Sequence, residues 1–91
     1  MDADEFCLVL TPTLGAALRA VEAIRERFAL IDDGPRRDLA TVVGELVEAS
    51  VKRRPRKPIT VSVLVNGDAI RGEVSDQGDL SPFEIPLDRA A

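Results

Sequence analysis

Two short stretches of this 91-residue chain carry side chains whose types and spacing could do chemistry. The first is Glu45-Leu46-Val47-Glu48-Ala49-Ser50-Val51, late in a helical pattern. Positions 45 and 49 are four residues apart and share one helical face, where two polar side chains could act on a single bound group. Only Glu45 is polar there, since alanine at 49 has no ligand atom. Glu48 and Ser50 each lie about 100° around the helix from position 49 and do not reach the same point. The second stretch is Val74-Ser75-Asp76-Gln77-Gly78, a carboxylate and a glycine where a strand ends. A hydrogen bond to a charged acceptor such as Asp76 is worth about 1.5 to 3 kcal/mol, enough to favour one ligand by one to two orders of magnitude. Taken alone, Glu45 also reads as a solvated helix residue and Asp-x-Gly as an ordinary turn.

A third feature is a cluster of cations. Lys52, Arg53, Arg54, Arg56 and Lys57 hold five of the twelve basic residues, leaving sixteen acids against seven bases elsewhere. Cations at a helix C-terminus meet the negative end of the macrodipole, and Pro55 and Pro58 then break the chain into a solvated loop. The functional use of such a cluster is contact with an acidic protein partner, through Arg53, Arg54 and Arg56. A nucleic-acid surface would want a broader basic patch and stacking aromatics, and the chain has only three Phe and no Trp or Tyr.

Other chemistries lack their parts. No His is present, so imidazole catalysis and His-based metal sites are excluded, and no metal site is expected. The serines at 50, 62, 75 and 81 have no general base near them in sequence. Cys7, the one cysteine, excludes an internal disulfide and sits in an alternating apolar run, which reads as a packed strand residue rather than a nucleophile. Gly34 and Gly44 are isolated, and nothing resembles a Walker motif. Without a signal peptide or a membrane-spanning apolar run, the expectation is a cytoplasmic protein with no membrane partner.

The elements that must position these residues follow from periodicity. One small domain over 1–91 is expected, burying about 60 to 65% of its unfolded surface. Phe6 to Leu10 alternates as a first strand ending at Thr11-Pro12. Thr13 can cap a helix whose stripe is Leu14, Ala17, Leu18, Val21, Ile24 and Phe28. After the turn Ile31–Pro35, a second helix offers Leu39, Val42, Val43, Leu46, Val47 and Ser50. Ile59 to Val65 and Ala69 to Ser75 flank Asn66-Gly67-Asp68 as a hairpin. Residues 80–91, with Pro82 and Pro86, form a C-terminal tail or a short edge strand. The expected fold is α+β: a two-layer α/β sandwich in β-α-α-β-β order, with two helices on one face of a small mixed or antiparallel sheet.

In this order and spacing, the two motifs resemble those of the histidine-kinase-like ATPases, the GHKL or Bergerat fold, and within them the serine kinases that act as anti-sigma factors. That family's helix motif reads Glu-Leu-Val-x-Asn-Ala, its Glu activating the attacking group and its Asn binding magnesium. The resemblance makes Glu45 a vestigial base, places Ala49 on the missing Asn, and puts Arg53 where a His often stands. The family's Asp-x-Gly-x-Gly contacts adenine, which would give Asp76 and Gly78 a vestigial nucleotide-binding role while Leu80 replaces the second glycine. Only eleven residues follow Leu80, so the resemblance, over about Phe6 to Gly78, implies a shortened domain without the family's lid, phosphate segment, last helix and closing strand.

Three functional readings follow. The first is a regulatory protein-binding module resembling an anti-sigma factor, without competent kinase activity or a cofactor, whose partner is a sigma factor or a STAS-domain antagonist. The second is a weak ATP/ADP sensor or residual serine kinase, which alone would require ATP and magnesium. The third is a structural subunit whose likeness is topological. An open sheet edge, together with the family's dimers, implies a homodimer or an obligate partner.

Overall fold

The computed structural model describes residues 4–87. Strand β1 (Asp4–Leu10) leads into helices α1 (Ala16–Arg27) and α2 (Asp33–Lys52), followed by strands β2 (Ile59–Asn66), β3 (Ala69–Ser75) and β4 (Leu80–Pro86). The expected α+β architecture is present, with β4 extending the order to β-α-α-β-β-β. Of the stretch 80–91, Leu80–Pro86 is an edge strand, and residues 88–91 lie outside the described residues.

The sheet is antiparallel throughout, in the order β1-β2-β3-β4. Because successive strand residues point to opposite faces, register decides which side chains meet. Phe6, Leu8 and Leu10 oppose Val63, Val61 and Ile59, Val61 opposes Val74, and Ile70 opposes Ile85. These residues form the face that packs under the helices into one aliphatic core. The β2–β3 turn leaves Gly67 and Asp68 between the paired Asn66 and Ala69, with Gly67 at φ 66°. A positive φ at the first of two turn residues is the arrangement of a type II′ hairpin, and glycine adopts it without steric penalty. At Gly72 the reason for glycine is space: an added Cβ would lie 2.6 Å from Phe83 Cζ and against the carbonyl oxygen of Ser62.

Helix α1 departs from the expected phase. It begins at Ala16 with Gly15 as its N-cap, and no side chain caps it; the Ala16 N–H donates instead to the backbone carbonyl of Thr13 at 3.0 Å. The buried stripe is Ala16, Ala20 and Ile24, continued by Phe28, while Leu14 and Leu18 are 99% and 64% exposed. Small alanines let the helix lie close to the sheet, and that close approach sets the helix rotation in place of the bulkier leucines. Phe28 meets Phe6 edge to face, with ring centroids 5.7 Å apart.

Helix α2 starts at Asp33, two residues before Pro35. Pro35 fits in the first turn because backbone N–H groups there have no intrahelical acceptor. Leu39, Val43, Val47 and Ser50 are buried as expected, joined by Ala40, whereas Val42 and Leu46 are half-buried. Cys7 also differs from expectation. It is exposed, on the sheet face opposite the helices, because Phe6 and Leu8 take the inward positions of β1.

Candidate functional site

The candidate residues gather where α2 ends above the end of β3. Ser50 is the one polar residue of the buried α2 stripe, fully enclosed, and a buried hydroxyl requires a partner. It donates from Oγ to Asp76 Oδ2. Asp76 begins the four-residue β3–β4 connection, in which its N–H donates to the carbonyl of Asp79 at 3.0 Å and Gly78 takes φ 98°. That turn directs the Asp76 side chain inward, where it is only 3% exposed.

A buried carboxylate needs compensation, and Arg53 supplies it. Arg53 Nη2 lies 2.7 Å from Asp76 Oδ2, and Arg53 Nε lies 3.2 Å from Asp79 Oδ2. The Ser50 hydroxyl, chiefly, holds the Asp76 carboxyl below its ordinary range; burial opposes this, while the hydrogen bond and charge of Arg53 and the backbone amide of Asp79 add to the lowering. Every buried side-chain nitrogen and oxygen among the described residues has a partner. The result is a closed clamp, Ser50–Asp76–Arg53–Asp79, fastening the C-terminus of α2 to the β3–β4 turn.

The basic loop leaves this clamp. Arg54 has φ 52°, and its N–H donates to the Val51 carbonyl at 3.0 Å, so it ends α2 in the left-handed conformation that glycine usually supplies. Pro55 follows, where the helix cannot continue. The backbone N–H of Arg56 donates to Gln77 Oε1 at 2.6 Å, tying the loop to the same turn. Among the described residues, the exposed side chains of Arg54, Arg56 and Lys57 make no ion pair or side-chain hydrogen bond. A cavity of about 150 Å³ is lined by Arg53, Arg54, Arg56, Asp76 and Asp79. A second, of about 450 Å³, is lined by Lys57, Thr60, Ser75, Asp76, Gln77 and Gly78.

No protein-family model, no curated protein and no solved structure matches the chain.

The residues singled out from sequence therefore divide. Asp76 and Gly78 share the β3–β4 turn, Gly78 exposed and Asp76 enclosed. Glu45 and Ala49 are both exposed, away from the buried α2 face that carries Ser50. Of the three arginines expected to face a partner, Arg54 and Arg56 point outward, whereas Arg53 is held by Asp76 and Asp79. Sequence reasoning placed Ser50 in the apolar stripe without giving it a role. The available signal was a hydroxyl in a buried position with an arginine three residues later, on the same side of the helix. Among the described residues, no cluster of His, Cys, Asp or Glu is arranged to hold a metal, and no helix is long and apolar enough to cross a membrane.

Proposed function

We propose that this protein is a cytoplasmic regulatory module of the anti-sigma type, which binds a protein partner through its basic loop and has no competent kinase activity. The observation that carries this reading is the enclosure of Asp76. The carboxylate that the resemblance would offer to adenine accepts from Ser50 and Arg53 at Oδ2 and is only 3% exposed, so a nucleotide would reach it only if the clamp around it opened. Ala49 adds no ligand for magnesium on the exposed face of α2. Arg54, Arg56 and Lys57 are left to an acidic surface, where charge complementarity gives a fast and specific encounter. A sigma factor or a STAS-domain antagonist is the partner class that the resemblance supplies.

A second reading, a weak nucleotide sensor, draws on the larger cavity beside Asp76, with Lys57 on its wall. Isothermal titration separates the two. With ATP, in the presence and absence of magnesium, the module reading expects no heat of binding, and saturable binding that tightens with magnesium would overturn it. In the same instrument, a panel of purified sigma factors and STAS-domain proteins should yield a partner whose binding is lost in the Arg54→Glu/Arg56→Glu variant. Unchanged affinity in that variant would reject the loop as the contact.

A further inference from the structure

The sheet face away from the helices ends in a row fixed by register: Val9 opposes Thr60, Thr60 opposes Ser75, and Ser75 opposes Leu80. Thr60 and Ser75 lie on that face because their neighbours Ile59, Val61 and Val74 turn into the core. Both are half-buried, and among the described residues neither side chain makes a hydrogen bond. They line the cavity of about 450 Å³ together with Lys57 and Gln77. Lys57 has no ion pair among the described residues, and Gln77 uses its Oε1 to accept from the Arg56 N–H, which leaves its NH₂ group unpaired. The cavity thus gathers an ammonium, an amide NH₂ and two hydroxyls. The first two can only donate, so what the cavity lacks is an acceptor. Asp76, the carboxylate on its wall, already accepts from Ser50 and Arg53 on the helix side. Glu73 opposes Ser62 in the next row and is not part of the wall.

We propose that this cavity is a binding site for a small oxyanion, a phosphate or a carboxylate. The Cβ atoms of directly opposed strand residues lie about 4.5 to 5.5 Å apart, and an O–H···O bond spans about 2.7 Å, so one oxyanion can accept from Thr60 and Ser75 at once. Lys57 supplies the charge, and hydrogen bonds to an ionised partner are the strong ones. Val9 and Leu80, outside the core, place apolar side chains on either side of the hydroxyl pair, where water competes less for it. Arg54 and Arg56 in the same loop add a positive field that favours an approaching anion. The site lies across the sheet from α2, and so apart from the contacts that the resemblance assigns to Glu45 and position 49.

Titration of the isotope-labelled full chain with inorganic phosphate, and separately with acetate, at fixed pH and ionic strength tests the proposal through its amide NMR shifts. Saturable shifts are expected at Lys57, Thr60, Ser75, Gln77 and Gly78. Phosphate represents a free phosphate compound and acetate the side chain of an acidic protein, so the tighter of the two identifies the source of the oxyanion. Lys57→Gln should weaken binding about tenfold or more, as should Thr60→Val/Ser75→Ala, since each removes hydrogen bonds to a charged acceptor. Both keep the strand pairing, and the unchanged amide spectrum away from the cavity verifies the fold. Lys52→Gln removes the same charge from the exposed surface of α2, outside the cavity, and should leave binding unchanged. Shifts that drift without saturating with both ions, saturation elsewhere on the surface, or equal weakening in Lys52→Gln and Lys57→Gln overturns the proposal. The site does not rest on the regulatory reading: phosphate and acetate can fail here while a partner still binds through Arg54 and Arg56, and the reverse.

Discussion

Replacing Asp76 with asparagine tests whether the clamp is structural. The amide can place its oxygen where Oδ2 accepts from both Ser50 and Arg53, but it carries no charge, and its NH₂ takes the place of the other oxygen as a donor. Hydrogen bonds to charged groups contribute about 1.5 to 3 kcal/mol against about 0.5 to 1.5 for neutral pairs, so the Ser50 bond loses about 1 kcal/mol. The Arg53 bond keeps its charged donor and loses only the attraction of opposite charges, which solvent screens at a side chain 42% exposed, adding about 0.5 kcal/mol. The expected loss is about 1.5 kcal/mol, which lowers Tm by roughly 6 to 12 °C in a domain of this size. Denaturant unfolding at neutral pH measures it directly. Acid adds a second, independent signature. Because the folded-state pKa of Asp76 is lowered, its contribution is complete above the unfolded carboxylate value of about 3.9 and is lost as pH falls from there through the lowered folded value. The gap between the native chain and Asp76→Asn should therefore be constant from neutral pH to about 5 and narrow below about 4. A variant within about 0.5 kcal/mol of the native chain at neutral pH, or a gap that stays constant into acid, would refute the clamp and return Asp76 to the role of a ligand acceptor.

Two further substitutions probe the elements around the site. Gly72→Ala drives a methyl group into the Phe83 ring and the Ser62 carbonyl, and should cost about 1 to 3 kcal/mol in denaturant unfolding; a neutral result would mean that β3 and β4 are less closely apposed than described. Arg54→Gly relieves a left-handed conformation at the end of α2 and should raise stability by up to about 1 kcal/mol, while a loss of stability on thermal denaturation would show that the arginine side chain holds the loop.

What could be read from the sequence depended on whether a residue's environment was local. The β2–β3 hairpin was legible because Asn66-Gly67-Asp68 and the flanking alternation carry their own geometry, and α2 because its apolar spacing persists for several turns. The start of α1 was not. Leu14 and Leu18 fit a helical stripe as well as Ala16 and Ala20 do, and only the closeness of the sheet selects the smaller side chains. Cys7 was misplaced for the same reason: in an unbroken apolar strand, alternation says that two faces differ without saying which one is covered. The clamp depends on a contact between positions 26 residues apart, and no local pattern announces such a contact.

Positions 45 and 49 lie on the solvent-facing side of α2, whereas Ser50 and Arg53 face Asp76. That arrangement would shape how the proposed partner binds. Pulling Arg53 toward an external acid would leave the Asp76 carboxylate enclosed with only Ser50 and a backbone amide, and removing one member of a buried charge pair is strongly unfavourable. A partner therefore gains more by docking on the loop as it stands than by remodelling it. The loop is suited to this, because Arg54 is fixed in its left-handed turn, Pro55 restricts the next residue, and Arg56 is held through its backbone by Gln77. The clamp thus holds the backbone of Arg54 and Arg56 in place, and on the proposed reading this reduces the ordering cost of binding an acidic partner, so that the stability of the turn and the affinity for that partner would be linked.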